Sequence, residues 1–540
     1  MTRPAPCMHA RRAALALAAF AAIASLPAQS KAGAQSDEAA ALFGKPRIVR
    51  VRIELDDAQK QQLRERPRDY AKATLVLDEE RFENVGIKIK GAAGSTREFD
   101  DRPAFTVSLK KHGGEKRFSG LAKFHLNNAA QDDSRLSDWI GHFVFDAAGY
   151  PAPRVSHARV HEGDRDLGVY VLREAFDERF VARAFGAAAG NLYDGGFCQD
   201  IDSELQKDEG KGPDDRSDLR ALAEACSGVD RNREAELARV LELSRFVDFC
   251  ALEAMLGHWD GYVGNANNYR LWIPTQGGAV FLPHGMDQLL QDEGHSILAH
   301  PSAKVASAVM QQPALRKRYR ERVRELLPLF APQKILARMA PYVAMLQREH
   351  ESLGDDAGRA YEEAVRSLKG RIEARHKSLL AQAKAPEPKP LQLAIGKPLA
   401  LKQWRTAAET DGIELEKKSH IGAPSLHLAI QQRSDEPRLG AWRTNVLLPS
   451  GRYELRGTAR CEKVAPPPDD ENGAQHGGVT LRCDGEKSPR LTADENWTPL
   501  VCAFEVREFQ RNVELSCELS AFAGKAWFRF DSLQLVRVGD

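Results

Sequence analysis

A proline-rich segment in the last third of the chain separates two parts of different character. Residues 384–390 read KAPEPKP, and prolines at this density hold a linker extended. Before the linker, strand-like and helix-like patterns are mixed, whereas residues 393–540 contain short strand-like runs separated by turns. We therefore predict an α+β part followed, after a linker over residues 384–392, by an all-β sandwich.

The first 34 residues have the three parts of a secretory signal peptide. Arginines come first, an apolar run follows over Ala13–Leu26, and Ala32-Gly33-Ala34 forms the cleavage site. The run is too short to span a bilayer, and no later segment has about 18 uninterrupted apolar residues. We expect a secreted or periplasmic protein without a transmembrane segment.

The charge balance restricts the partners. The 540 residues include 77 Lys and Arg against 76 Asp and Glu. This near cancellation gives no net attraction for a polyanion, so we predict no nucleic-acid partner.

Cysteine usage agrees with export. Removal of residues 1–34 takes Cys7 away and leaves seven cysteines. Cys198 and Cys226 bracket a polar, acidic loop, and a bridge between them would remove unfolded-state entropy worth roughly 3 kcal/mol. Cys250 lies on an amphipathic helix, where a buried unpaired thiol is expected. The remaining four cysteines lie on strand-like segments: Cys461, Cys483, Cys502 and Cys517. We predict that they form two bridges, whose connectivity the sequence does not determine.

The part before the linker divides into a strand-rich half and a helix-rich half. Residues 45–180 contain strand-like runs and one helical pattern, in which Leu136, Ile140 and Phe143 fall on one face. Residues 181–383 show apolar residues at helical spacing and alternating charge, apart from a polar loop over residues 190–227. A sheet with one packed helix is predicted first, and a helical unit second.

Residues 258–288, HWDGYVGNANNYRLWIPTQGGAVFLPHGMDQ, carry the clearest candidate chemistry. Two strand-like runs joined at a Gly-Gly turn connect two acidic loops, so Asp260 and Asp287 should lie close together. The spacing of Asp260 and Asn265 equals that of the catalytic-loop Asp and the metal-binding Asn of protein kinases, where a hairpin also precedes the Mg²⁺-binding Asp. Alternatively these are ordinary turn residues, since Asn, Asp and Gly are common in turns.

Several blocks along the chain resemble the CotH (spore-coat protein H) kinase-like family. They include FSGLAKFHLNN from Phe118, GVYVLREAFD from Gly168 and HWDGYVGNANNYRLW from His258, within a match from about Val85 to Gln288. The resemblance implies an atypical, bilobal protein-kinase-like fold, with residues 45–180 as the N-terminal lobe and 181–383 as the helical lobe. It also implies ATP with Mg²⁺ or Mn²⁺ as cofactors, and secreted or cell-surface proteins as substrates.

The resemblance assigns roles to individual residues. Asp260 is similar to the catalytic-loop Asp, and Asp287 to the Asp of the metal-binding turn. Asn268, in the family's Asn-Tyr pair, or Asn265, at the kinase spacing, is similar to the metal-binding amide. Glu174, which follows the Gly-x-Tyr-x-Leu strand, is implied to lie near the nucleotide.

The chain also departs from the family pattern. Many members carry basic residues in one strand where this chain has Thr106 and Ser108. A phosphate-binding lysine must then come from elsewhere, and the candidates are Lys123, Lys90 and Lys110. Because phosphoryl transfer relies on positioning and electrostatics, the loss of that cation leaves a second interpretation open. In it, the chain is a non-catalytic secreted structural or glycan-binding surface protein on a degenerate CotH fold.

The part after the linker is similar to galactose-binding-like or carbohydrate-binding jelly rolls. Trp404, Trp442, Trp497 and Trp527 are distributed among its strand-like runs. Tryptophan rings on a sandwich either stack on sugar rings or fill the core. A glycan is therefore a predicted ligand of residues 393–540.

Overall fold

The computed structural model describes residues 37–113, 117–186, 189–212, 214–227, 232–298, 301–387, 389–408, 410–468, 476–483 and 485–539. The predicted signal peptide, residues 1–34, lies outside the described residues. Within the described residues, none of the helices combines the length and the apolarity needed to cross a bilayer.

Seven strands near the N-terminus form a closed barrel in the order β1-β2-β3-β4-β5-β7-β6. They are β1 (Ile48–Glu54), β2 (Ala71–Leu77), β3 (Glu80–Lys90), β4 (Ala104–Ser108), β5 (Lys123–Asn127), β6 (Val155–Glu162) and β7 (Arg165–Glu174). Parallel pairing of β1 with β6, from Ile48 opposite His157 to Ile53 opposite Glu162, closes the barrel. The strand patterns predict a sheet here but not its closure, because this pairing joins segments far apart in the chain.

Alternating side chains fill the barrel. On β1, Val49, Val51 and Ile53 are buried, and the residues between them are exposed. The short helix α1 (Ala40–Phe43) precedes this strand. Helix α2 (Asp57–Glu65) follows it and begins with a capping box.

Helix α3 (Ser137–Ala147) connects the barrel to the helices that follow. Trp139 and Ile140 are buried in one core with side chains of those later helices. Gly141 allows a close approach, because a Cβ there would lie 2.4 Å from the Sδ of Met286. This contact sets α3 against the loop that contains Asp287.

The next part of the chain is mainly helical, as the sequence predicts. Its helices are α4 (Glu178–Phe185), α5 (Ser217–Ser227), α6 (Arg233–Val240), α7 (Leu243–Leu256), α8 (Tyr262–Asn265), α9 (Lys304–Gln311), α10 (Pro313–Leu326), α11 (Pro332–Glu351) and α12 (Asp355–Lys384). Two 3₁₀ helices occupy Met286–Gln288 and Leu327–Phe330.

A four-stranded sheet in the order β11-β10-β8-β9 lies among these helices. Its strands are β8 (Gly190–Asp194), β9 (Gln206–Gly210), β10 (Tyr269–Pro274) and β11 (Val280–Pro283). The hairpin predicted within residues 258–288 is the antiparallel pair β10–β11, with Tyr269 opposite Pro283. The prediction of a simple polar loop over residues 190–227 is wrong, because β8, β9 and α5 lie there. The polar sequence of β9, Gln-Lys-Asp-Glu-Gly, gives no apolar strand signal.

The C-terminal part is a ten-stranded sheet, which confirms the predicted change to β structure after the linker. Its strands are β12 (Leu399–Ala400), β13 (Arg405–Ala408), β14 (Glu414–His420), β15 (Ala423–Ile430), β16 (Arg438–Ala465), β17 (Gly478–Cys483), β18 (Glu486–Lys487), β19 (Ala493–Ala521), β20 (Ala523–Arg529) and β21 (Gln534–Gly539). Strands β16 and β19 pair over most of their length, with register shifts that allow them to bend. Trp404 and Trp442 lie in the core of this sheet.

The predicted disulfides are not formed, because the seven cysteines in the described residues are free thiols. Cys198 is exposed on a turn, whereas Cys226 packs against the helical core. Cys250 is buried and unpaired, as the sequence predicts. The other four are buried in the core of the C-terminal sheet, where free thiols act as small apolar side chains: Cys461, Cys483, Cys502 and Cys517.

Candidate active site

The loop that contains Asp260 is held by backbone geometry and by a buried carboxylate. Gly257 follows the last residue of α7, and its φ of +60° is in the left-handed region that favours glycine. The buried Glu253 side chain accepts hydrogen bonds from the backbone N–H groups of Tyr262 (3.2 Å) and Val263 (3.0 Å). Burial raises the pKa of Glu253 to about 8. The loop therefore rests on a fixed support at the end of α7.

Three asparagine side chains surround the Asp260 carboxylate. Asn268 donates from Nδ2 to the Oδ2 of Asp260 (2.8 Å) and to its backbone oxygen (2.9 Å). Asn267 donates to Oδ1 at 3.0 Å. Asn265 is exposed and lies farther away, with its Nδ2 3.5 Å from Oδ1. An ionised carboxylate has about four acceptor positions, so Asp260 is oriented by amides and can still accept a proton or a further hydrogen bond.

The two acidic loops contact each other. The Nε2 of His258 is 2.9 Å from the carbonyl oxygen of His284, and the His284 N–H donates to the Asn268 carbonyl at 3.0 Å. Gly285 has a φ of +57°, and a Cβ at this position would lie 2.1 Å from the Oδ1 of Asn268. Position 285 therefore requires glycine, and Asn268 lies at the junction of the two loops.

The buried carboxylate of Asp138 lies near the turn that contains Asp287. Asp138, on α3, is 2% exposed, and its Oδ1 accepts a hydrogen bond from the Met286 N–H at 3.2 Å. Burial and the charge of Asp138 raise the pKa of Asp287 to about 6, and Arg173 partly opposes this rise. The Nη1 of Arg173 is 3.7 Å from the Oδ1 of Asp138. Two carboxylates and one guanidinium thus share this part of the site.

The barrel strands supply the cations. Lys90, the last residue of β3, donates from Nζ to the Oδ1 of Asn127 at 2.8 Å. Burial and repulsion from Arg173 lower the pKa of Lys90 to about 7, whereas Asp138 and Asp287 act in the opposite direction. Lys90 is therefore within electrostatic reach of Asp287.

The half-buried imidazole of His125, on β5, lies where several cations come together. Burial lowers its pKa well below the ordinary value, and nearby cations lower it further: Lys90, Arg173, Lys123 and Arg270. Thr106 Oγ1 lies 3.1 Å from the Nδ1 of His125. The strand position where a lysine was expected thus holds a neutral hydroxyl, while the positive charge comes from neighbouring strands.

The sequence analysis missed Arg173, although the alternation of β7 contains a signal for it. Val169 and Val171 face the helical core, whereas Tyr170 and Leu172 face the barrel interior. Because side chains alternate along a strand, Arg173 points to the same side as Val169 and Val171. Its Nη2 is 2.9 Å from the Nε2 of His284.

Glu174 has other partners. Its carboxylate is 2.8 Å from the Nη2 of Arg154 and 2.7 Å from the Nη2 of Arg183. Burial raises the pKa of Glu174, but the two arginines outweigh this effect and hold it below the ordinary value. Contact between Glu174 and a nucleotide stays a prediction.

Asp194 and Asp208 form a second acidic group at the edge of the site, and Lys123 lies near Asp208. Arg270 is 2.7 Å from Asp194 and 3.4 Å from Asp208. Burial raises the pKa of Asp208, whereas Arg270 and Lys123 lower it. Lys123 is half-buried at the start of β5, and Lys110 is exposed in the turn that follows β4.

The donor set fits a magnesium ion that is shared with phosphates. Among the described residues, no group of three or more His, Cys, Asp or Glu side chains is arranged to hold a metal ion alone. Proteins bind Mg²⁺ through one or two carboxylates together with substrate phosphates. The raised pKa of Asp287 reflects its burial and the nearby charge of Asp138. A divalent cation would relieve this repulsion.

The family comparison agrees with the resemblance seen in the sequence. The CotH kinase protein family matches residues 87–379, more than half of the chain. The chain therefore belongs to the CotH kinase protein family. The match includes β4–β7, both acidic loops and most of α12.

Comparison with curated proteins gives no match. Among solved structures, TmCBM61 in complex with beta-1,4-galactotriose is 13% identical, with coverage of 26% of this chain and 90% of that chain and a TM-score of 0.18. The family 11 carbohydrate-binding module of the cellulosomal cellulase Lic26A-Cel5E of Clostridium thermocellum is 14% identical. Coverage there is 27% of this chain and 96% of that chain, and the TM-score is 0.15.

Proposed function

We propose that this protein transfers the γ-phosphoryl group of ATP to hydroxyl groups of secreted or cell-surface proteins. The observation that carries the proposal is the arrangement around Asp260. Amides orient its carboxylate, and the loop contacts the turn that contains Asp287, with Lys90 and Arg173 close by. In this proposal the barrel is the N-terminal lobe of a kinase-like fold and the helical unit is the second lobe.

Asp260 acts on the acceptor hydroxyl. Its carboxylate accepts the hydroxyl proton as the hydroxyl oxygen bonds to the γ-phosphorus and the bond to the β–γ bridging oxygen breaks, which releases ADP. Asn267 and Asn268 hold the carboxylate in one orientation through bonds of 3.0 and 2.8 Å. Such positioning is the main contribution of protein side chains to phosphoryl transfer.

Lys90 and Arg173 stabilise the phosphate oxygens. Arg173 presents a planar set of donors suited to phosphate, and Lys90 adds a compact charge held by Asn127. Lys123 lies farther out and would meet the outer part of the nucleotide. Burial strengthens these interactions, because fixed charges in a site shielded from water act with less screening.

Asp287 would hold Mg²⁺ or Mn²⁺, with an amide oxygen of Asn268 or Asn265 as a further ligand. The ion, when bound, neutralises the charge on the phosphates. Asn268 is the better candidate, because it contacts the turn at Gly285, whereas Asn265 is exposed and lies farther from the carboxylate of Asp260.

Export and domain organisation belong to the same proposal. Residues 1–34 would be removed during secretion, and the substrate would then be met outside the cytoplasm. Residues 45–180 and 181–383 are the two lobes, residues 384–392 the linker, and residues 393–540 a sandwich.

Radioactive phosphate transfer tests the proposal. The secreted chain is incubated with γ-³²P-labelled ATP and Mg²⁺ or Mn²⁺, with itself and co-secreted proteins as acceptors. Wild type is expected to transfer label, and Asp260→Asn and Asp287→Asn are expected to lose transfer. Asp164→Asn, which changes an exposed carboxylate on the turn between β6 and β7, serves as the control and keeps wild-type transfer. A wild-type protein that neither binds nor consumes ATP with either metal contradicts the proposal.

A further inference from the structure

Four aromatic rings form a cluster on the C-terminal sheet, far from Asp260 in the chain. His420 ends β14, His427 lies on β15, Trp497 on β19 and Trp527 on β20. The ring centroids of His420 and Trp527 are 4.2 Å apart and stacked, those of His427 and Trp527 are 5.1 Å apart, and those of His420 and Trp497 are 6.2 Å apart. Strand pairing fixes the arrangement, because His427 is directly opposite Trp527.

The cluster lies on the face of the sheet opposite the core. On β15, the core residues are Leu426 and Leu428, on either side of His427 in the chain. On β20, Phe528 is in the core and its neighbour Trp527 is not. Since neighbouring side chains point to opposite faces of a strand, the rings do not fill the core. A structural role in core packing therefore does not explain them.

The cluster contains buried polar atoms without partners in the described part of the chain. These are Trp527 Nε1, both ring nitrogens of His427 and His420 Nε2. His427 is 2% exposed and Trp527 is 4% exposed. An unpaired buried polar group costs about 1–3 kcal/mol, so each such group in a native protein calls for an explanation, such as a functional role or a bound water or ion. A neutral imidazole has one donor and one acceptor nitrogen, so the cluster offers hydrogen bonds of both kinds.

The charges around the cluster cancel. The charges with the largest effect on the pKa values of the two histidines are three cations and three carboxylates: Lys418, Lys525, Arg460, Glu414, Glu416 and Glu462. Arg460 and Glu462 pair with each other at 2.9 Å. A ligand with a strong charge would need an excess of the opposite sign. No metal-binding group of His, Cys, Asp or Glu exists among the described residues, which includes these histidines.

We propose that this cluster binds a sugar ring of a neutral glycan. A sugar ring has an apolar C–H face, which packs on the aromatic surface of Trp497 and His420, both partly exposed. Its hydroxyl groups both donate and accept hydrogen bonds, which matches Trp527 Nε1–H and the His427 nitrogens. His420 is on the edge strand next to the exposed Ile421, so rotation of its side chain uncovers Trp527 for the ligand. The protein would then use this sheet to hold itself on a polysaccharide surface.

Affinity electrophoresis of the full chain in gels that contain galactan, xylan or β-glucan tests this site. Wild type is expected to be retarded by at least one of these neutral polysaccharides. Trp527→Phe keeps an aromatic ring but removes the unpaired N–H, so we expect at least tenfold weaker retardation with an unchanged or higher Tm. Trp442→Phe is the matched control: its Nε1 already donates to the His427 carbonyl at 3.1 Å, and we expect a lower Tm with unchanged retardation.

Three outcomes overturn the proposal. They are the absence of retardation by all three neutral polysaccharides, retardation only by anionic polygalacturonate, and a Trp527→Phe variant that binds as well as wild type. Asp260→Asn is measured in parallel and is expected to be retarded like wild type. Its retention separates glycan binding from phosphoryl transfer, so either proposal can fail without the other.

Discussion

The side chain of Asn268 gives the sharpest prediction about the candidate active site. Its Nδ2 makes two hydrogen bonds to Asp260, to Oδ2 at 2.8 Å and to the backbone oxygen at 2.9 Å. Asn268 also has a φ of +49°, in the left-handed region. Asn268→Gly removes the side chain and keeps this backbone conformation accessible. Asn268→Ala removes the same bonds and adds backbone strain of about 1 kcal/mol.

The size of the effect follows from the bond to the carboxylate. A hydrogen bond to a charged group contributes about 1.5–3 kcal/mol. If that energy is lost in the transition state, the rate of phosphoryl transfer falls by about 10- to 150-fold. Asn268→Gly and Asn268→Ala should lose rate to a similar extent, but Asn268→Ala should also have the lower free energy of unfolding.

Initial rates of ADP formation and urea unfolding measure the two effects separately. Asn265→Ala provides the comparison, because its amide is 3.5 Å from Asp260 and exposed, and we expect less than a fivefold loss of rate, well below the loss expected for Asn268. A larger loss for Asn265→Ala than for Asn268→Gly would refute the reasoning from contacts. It would favour the kinase-type spacing of Asp260 and Asn265 as the better guide.

Four more predictions follow from the same structure. Lys90→Met should weaken ATP binding at least tenfold in calorimetry, with a smaller loss for Lys123→Met, because the charge of Asp287 acts on Lys90, whereas Lys123 acts on Asp208. Binding of ATP with Mg²⁺ should strengthen about tenfold between pH 5 and 7 as Asp287, with a pKa of about 6, ionises. Without metal, the same raised pKa gives stability that is complete below about pH 4 and lost as pH rises through about 6, so Mg²⁺ should raise Tm more at pH 7 than at pH 5. Arg375→Met should cost about 3 kcal/mol in urea unfolding, because this fully buried guanidinium donates to four backbone carbonyls, two at the end of α7 and two in residues 293–295. Equal stability to wild type would contradict that role.

Local patterns were sufficient for some parts of the site. The turn residues between two apolar runs predicted the β10–β11 hairpin, and the hairpin is the reason that the two acidic loops meet. The helical spacing that includes Leu136 and Ile140 predicted α3. The proline-rich linker correctly marked the change from mixed structure to β structure.

Long-range contacts explain what the sequence did not predict. Asp138 reaches Asp287 because Gly141 lets α3 pack closely on Met286, and nothing in the sequence near Asp138 indicates that contact. Arg173 enters the site through the alternation of β7, which becomes informative when the core on each face is known. The closure of the barrel depends on pairing between β1 and β6, which local strand patterns cannot reveal.

The polar segment over residues 190–227 shows a different cause of error. Strand β9 consists of Gln-Lys-Asp-Glu-Gly and forms because β8 offers it an edge to pair with. None of the side chains of β9 is buried in the core. One of them, Asp208, lies near Arg270 at the edge of the candidate site. Hydrophobic periodicity cannot detect a strand of this kind.

Calorimetric titration of the protein with ATP in the presence of Mg²⁺ tests the central claim most directly. The account predicts saturable binding by wild type, retained binding by Asp260→Asn and loss of binding by Asp287→Asn, with all three proteins folded by thermal unfolding. In the proposed function, Asp260 acts on the acceptor hydroxyl and Asp287 holds the metal on the phosphates, so the two variants should differ. Absence of heat from wild type with both Mg²⁺ and Mn²⁺, or equal binding by wild type and Asp287→Asn, would contradict the account.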